Sequence, residues 1–204
     1  KIKKELKDFK NFKKKFEFIQ KEIVQEGENL FCDVELLQRG EEKPIGETEK
    51  WINVGYKLKG PSSKVLSNLF PYEFVFRGKH LNSIETFFQG IKIKDKNTQE
   101  YVFKYSGLDS NNIKAASDFD WKESGIVYWQ GKEIKRDSDE YDNIVDELYI
   151  SAIQNPLYRN VLKNINKPII HSMGEVDKKK TVFTRYEFEF MLNCLVEFLK
   201  LERK

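Results

Sequence analysis

The chain of 204 residues carries two histidines, His80 and His171, and two cysteines, Cys32 and Cys194. The cysteines form no C-x-x-C pair, and no spacing brings the four residues together, so no metal is expected. A Ser-His-Asp or Cys-His triad would have to use His80 or His171. No glycine pattern of a phosphate loop or a dinucleotide fold occurs. Chemistry then falls to carboxylates, lysines and aromatics. The segment Ser83–Ile93 holds one such set. At about 100° per residue on a helix, Gln89 falls about 40° from Glu85, and Lys92 about 20° to its other side. Ile84, Phe88 and Ile93 flank this stripe, and Thr86 and Gly90 leave room for another backbone. A narrow Glu/Gln/Lys stripe on an apolar helix fits a cavity wall, because buried charges are costly and therefore more often functional. It fits a thin surface face equally well.

The surrounding elements follow from local signals. Ile2, Leu6, Phe9, Phe12, Phe16, Ile19 and Ile23 recur at spacings of three and four, which predicts an amphipathic helix over residues 1–24. Alternating Leu30, Cys32, Val34 and Leu36 predict a strand, and Gly40–Gly46 a turn. A second strand is expected over Trp51–Leu58, a loop over Lys59–Lys64, and a short strand over Phe74–Phe76 ending at Arg77-Gly78. Helices are expected from Ser83 and over 98–106, 138–153 and 156–164. Asn155-Pro156 reads as a cap followed by the first helical residue. Thr184 with Glu187 reads as a capping box that opens a last helix reaching about Glu202. The expected fold class is α+β. It is mainly helical, with a few short strands, and the N-terminal helix and strand extension (1–50) precedes the main domain (51–204).

Charge separates these parts. The net charge is +3, too near balance for the whole chain to act as a polycation. Lys1, Lys3, Lys4, Lys7, Lys10, Lys13, Lys14 and Lys15 against Glu5 and Asp8 put the first sixteen residues at +6 and the rest at −3. The basic helix could contact the backbone of DNA or RNA. The continuous apolar stripe needs burial, which favours a solvated lysine face on a helix packed against the domain. No apolar run approaches the roughly 18 residues of a membrane span, and no signal-peptide pattern occurs. With so few cysteines, a reducing cytoplasm is the expected location.

Three blocks in series resemble one family. They are Leu66-Ser67-Asn68-Leu69-Phe70-Pro71 with Phe74-Val75-Phe76-Arg77-Gly78 and Ser83 to Lys92; then Val127-Tyr128-Trp129-Gln130-Gly131 with Ile134, Arg136, Ser138 and Tyr141; then His171-Ser172-Met173-Gly174 with Asp177, Thr181, Thr184, Glu187-Phe188 and Leu192. Their order and spacing over about 52–200 look like the NADAR domain, whose members include YbiA-type N-glycosidases and enzymes that remove ADP-ribose from guanine bases. The chain has Glu175-Val176-Asp177-Lys178 where the better-known branch has an Asp-x-x-Trp-Gly segment. The resemblance does not reach residues 1–50.

The resemblance implies a NADAR/YbiA-like fold and an N-glycosyl hydrolase that cleaves the bond between ribose C1 and a base amine. It implies no cofactor. The implied substrate is ADP-ribosylated guanine in nucleic acid or nucleotides. The alternatives are ribosylated riboflavin-pathway intermediates and non-catalytic binding of ADP-ribose or NAD. A base amine is a poor leaving group and benefits from protonation, and a cationic C1 benefits from a carboxylate. Glu85 is the expected acid or base. Lys92 is expected as a Schiff-base nucleophile or an electrostatic clamp. Tyr128 and Trp129 would stack on the base, and Arg136 would clamp a phosphate. Asn68, Gln89, Ser138, Tyr141, His171, Gly174 and Asp177 complete the implied binding set.

Overall fold

The computed structural model describes residues 1–26, 46–112 and 120–202. The strand expected at 30–37, with Cys32, and all but the end of the expected turn at Gly40–Gly46 lie outside them. Elements follow in the order α1 (Ile2–Glu26), β1 (Ile52–Asn53), α2 (Pro61–Val65), β2 (Phe74–Phe76), β3 (Lys79–Leu81), α3 (Ile84–Gly90), α4 (Lys96–Phe103), α5 (Gly107–Asn112), α6 (Trp121–Ser124), β4 (Ile126–Trp129), β5 (Lys132–Lys135), α7 (Asp139–Ala152), α8 (Pro156–Asn164), β6 (Ile169–Ile170) and α9 (Arg185–Leu201). The chain is therefore α+β, with helices dominant and strands of two to four residues.

Helix starts follow their caps. Ser83 accepts the Thr86 amide, and Asn155 accepts those of Leu157 and Tyr158. At α9 both halves of the Thr184/Glu187 capping box form. The expected loop at Lys59–Lys64 instead contains α2, which starts at Pro61, a residue already set for the first helical turn. The expected strand over Trp51–Leu58 shrinks to β1.

Two strand pairs are hairpins with two-residue turns. Arg77 and Gly78 have φ of 48° and 78°, and Gln130 and Gly131 have 52° and 82°. Positive φ at both central positions gives the turn twist that matches paired strands. The third pair is parallel: Ile52 lies opposite Ile169 and Asn53 opposite Ile170. It joins chain segments more than a hundred residues apart.

Helix α7 runs through the core, with Tyr141, Ile144, Leu148 and Tyr149 buried. Helix α9 packs alongside through Phe188, Leu192, Leu195 and Leu199. Helix α1 docks on both. Phe9 is fully buried and meets Phe198 edge-on at 5.4 Å. Lys13 Nζ lies 2.6 Å from Asp146 Oδ1 of α7. Five α1 lysines (Lys3, Lys7, Lys10, Lys13 and Lys14) line a crevice that Asp139, Asp142 and Asp146 line from α7.

Buried Gln99 joins α3 to the β4–β5 hairpin. Its amide nitrogen donates to the carbonyls of Gly90 and Tyr128, and its oxygen accepts the Gln130 amide. Gly90 is required there, since a Cβ would stand 2.4 Å from the Phe103 ring. Thr86 donates to the Tyr105 carbonyl, the close backbone approach its small size allows.

Candidate functional site

The Glu85/Gln89/Lys92 stripe lines a cleft of about 270 Å³. Glu85 and Gln89 lie on α3, and Lys92 follows just beyond its C-cap, Ile91. The three are linked in series. Gln89 Nε2 donates to Glu85 Oε1, and Lys92 Nζ donates to Gln89 Oε1 at 3.0 Å. A single amide therefore bridges carboxyl and amine. Burial is the largest influence on Glu85 and pushes its carboxyl above the usual range. The Gln89 hydrogen bond and the Lys92 charge offset this in part.

The rest of the cleft comes from distant segments. Asn68 lines it and positions Glu85: its carbonyl accepts the Glu85 amide at 2.9 Å. Buried Tyr149 of α7 donates to Asn68 Oδ1 at 2.9 Å. The parallel pair supplies His171. Val54, one residue past β1, and His171, one residue past β6, meet through His171 Nδ1 and the Val54 carbonyl at 2.7 Å. Since the carbonyl only accepts, Nδ1 carries the proton. Burial lowers the His171 pKa most; the Val54 hydrogen bond and Glu189 raise it, and Arg185 lowers it. Gly174 lies beside the ring, where a Cβ would stand 2.6 Å from His171 Cδ2.

Arg185, Phe88 and Phe183 also line the cleft, none of them expected from the sequence. Buried Arg185 donates through Nε to Glu189 Oε1 at 2.8 Å, and Glu189 also accepts the His171 amide. One signal pointed to Arg185: it is a cation in the first turn of α9, where the helix dipole disfavours positive charge. Phe88 and Phe183 stack at 4.8 Å, their planes 15° apart.

The middle block of expected site residues lies elsewhere. Trp129 is buried among Phe76, Phe87 and Phe103 and presents no face to the cleft. Tyr128 is buried on β4, its backbone amide on the Ile91 carbonyl. Tyr141 is a core residue whose hydroxyl donates to the Val182 carbonyl. Ser138 is the α7 N-cap. Arg136 pairs with Glu187 at 2.5 Å and lies over the Tyr141 ring. Arg136 and Ser138 line a second pocket, where five carboxylates oppose three cations, a poor phosphate clamp. Asp177 does not line the cleft; its carboxylate accepts the Lys179 amide within its own turn. The cleft thus unites Asn68, Glu85, Gln89, Lys92, His171 and Gly174, and excludes Tyr128, Trp129, Arg136, Ser138, Tyr141 and Asp177.

Among the described residues, no group of three or more His, Cys, Asp or Glu could hold a metal ion, and no helix is long and apolar enough to cross a membrane.

Residues 60–197 match the family described as Bacteriophage protein GP30.3. The chain belongs to that family. It is also similar to a protein of Enterobacteria phage T4 described as the uncharacterized 17.1 kDa protein in the Gp30-rIII intergenic region. The two are 31% identical over 136 residues, which covers 65% of this chain and 89% of the phage protein. No solved structure matches. These matches overturn the expected NADAR assignment: the matching family is GP30.3, and no NADAR domain is found. Several residues of the motif blocks behind that resemblance, Tyr128, Trp129, Ser138 and Tyr141 among them, are core or cap residues.

Proposed function

We propose that the Glu85 cleft is the active site of a hydrolase that cleaves an N-glycosidic bond between ribose and a base amine. One observation carries this reading: a carboxyl held above its usual pKa by burial, at the wall of a cleft and hydrogen-bonded to an amide. A carboxyl raised in this way retains its proton nearer to neutral pH and can deliver it to a leaving base nitrogen. After transfer, the carboxylate stabilises positive charge at C1. Gln89 orients the Glu85 carboxyl. Lys92 and Arg185 supply positive charge suited to a phosphate-bearing substrate, and the Phe88–Phe183 pair supplies an aromatic wall suited to a base.

ADP-ribosylated guanine in an oligonucleotide is the first substrate to test. The protein is incubated with it, and free ADP-ribose is measured by mass. Release by the wild type, lost in Glu85→Gln at unchanged folding, supports the reading. Tight binding without release makes the cleft a reader of the modified base and refutes hydrolysis.

A further inference from the structure

We infer that His171 is the general base that activates the attacking water opposite the Glu85 acid. The inference rests on the hydrolytic reading of the cleft and adds a second catalytic group to it. Both side chains line the same cavity. The Val54 carbonyl fixes the His171 tautomer, with the proton on Nδ1. Nε2 then carries the lone pair and has no protein hydrogen bond among the described residues. The ring is also held in place: Phe188 packs against it edge-on at 5.0 Å, and Gly174 admits no Cβ beside Cδ2. A histidine in a core would satisfy both nitrogens. This one satisfies Nδ1 with a backbone carbonyl and lines the cleft that Glu85 also lines.

The charged groups around the ring are Glu189 and Arg185 on α9, Glu175 on the same cleft wall, and Glu85 and Lys92 on the α3 wall. Glu189 and Arg185 are paired with each other and act on the ring in opposite directions, Glu189 raising its pKa and Arg185 lowering it. The two environments displace the two groups in opposite directions. Burial raises Glu85 toward the protonated acid and lowers His171 toward the neutral base. Burial disfavours the charged form of each group, and the neutral acid and neutral base it favours are the forms the step needs.

The step balances without a further reactant. His171 Nε2 takes a proton from water as the water oxygen forms a bond to C1. The C1–N bond breaks, its electron pair stays on nitrogen, and the Glu85 proton completes the leaving amine. Solvent exchange then returns the proton from His171 to Glu85.

Asparagine suits the test, because its side-chain amide can keep the donor to the Val54 carbonyl while Nε2 is lost. His171→Asn should lower kcat by about 100-fold or more, the usual contribution of a general base. It should leave KM within a few-fold and remove the acidic limb of the pH–rate profile. Turnover within about threefold of wild type, with that limb intact, overturns the assignment. A wild type that releases nothing refutes the hydrolytic reading itself, whereas a variant that turns over normally refutes the role of His171 alone. Diethyl pyrocarbonate on the wild type gives a second readout that needs no mutation. Exposed His80 serves as the internal reference, and each histidine peptide is followed by mass. Activity lost in step with His171 modification supports the role. Full modification of His171 with activity retained overturns it.

Discussion

Replacing Lys13 by methionine tests whether α1 is part of the fold or a basic arm. Lys13 and Asp146 form an ion pair at 2.6 Å, with side chains only 15% and 7% exposed. Breaking a buried pair from one side costs roughly 3–5 kcal/mol, because the remaining charge loses its compensation. Lys10 also acts on Asp146, and the lysine is not fully desolvated, so about 2–3 kcal/mol is expected here. In a protein of this size that lowers Tm by roughly 5–10 °C. The pH dependence has a definite sign. Burial raises the Asp146 pKa in the folded state, and Lys13 and Lys10 pull it back. Ionising Asp146 therefore costs stability. The cost is absent below the unfolded value of about 3.9 and grows as pH rises through the folded value. Losing Lys13 raises the folded value further, so the deficit of the variant should be small near pH 4 and full at neutral pH. Adding Asp146→Asn to the variant should recover most of it, since no uncompensated charge remains. Thermal melts of the three proteins at both pH values decide the matter. A Lys13→Met protein that melts within about 1 °C of wild type at neutral pH refutes the docked helix.

Two further substitutions probe the cleft through its supports. Gly174→Ala places a Cβ 2.6 Å from His171 Cδ2 and 2.8 Å from Arg185 Cβ. It should cost about 1–3 kcal/mol in thermal melts, and turnover should fall further than that loss alone would imply. Tyr149→Phe removes the donor to Asn68 Oδ1 and should cost about 1–2 kcal/mol in chemical denaturation. Because the Asn68 carbonyl holds the Glu85 amide, kcat should drop with little change in KM.

The parts of the fold that were legible in the sequence are those set by neighbours in the chain. Ser83, Asn155 and the Thr184/Glu187 box each fix a helix start within three residues, and the apolar spacing of α1 is continuous. Strands of two residues carry no alternation, so β6 leaves no signal in the sequence and β1 is shorter than the expected Trp51–Leu58. Gln130-Gly131 is a local signal of a hairpin turn, although the same two residues stand inside one of the motif blocks. In the site, the Glu85/Gln89/Lys92 stripe was legible because one helical segment carries it. The remaining wall was not. His171 reaches the cleft only through the parallel β1–β6 pair, and no residue near position 54 announces a partner at position 170. Trp129 and Arg136 show the converse failure. Motif spacing reports chain order, and chain order does not tell which face of a hairpin or helix a side chain occupies.

Charge invites the same error at larger scale. The first sixteen residues sum to +6, and a segment of that charge reads as a contact for phosphates. Yet the sum says nothing about what the lysines already face. Five of those eight line the crevice against α7, whose first turn carries Asp139, Glu140 and Asp142, and Lys13 is paired below them with Asp146. Acids in that first turn are favoured by the helix dipole whether or not α1 is present. Helix α1 then meets a surface that is already negative, and its apolar stripe, with Phe9 at the centre, supplies the burial that holds it there. The lysines of α1 are therefore answered locally by the acids of α7, whatever the total charge of the chain. An excess of lysine on an amphipathic helix should be weighed first against the acids of the face it can cover.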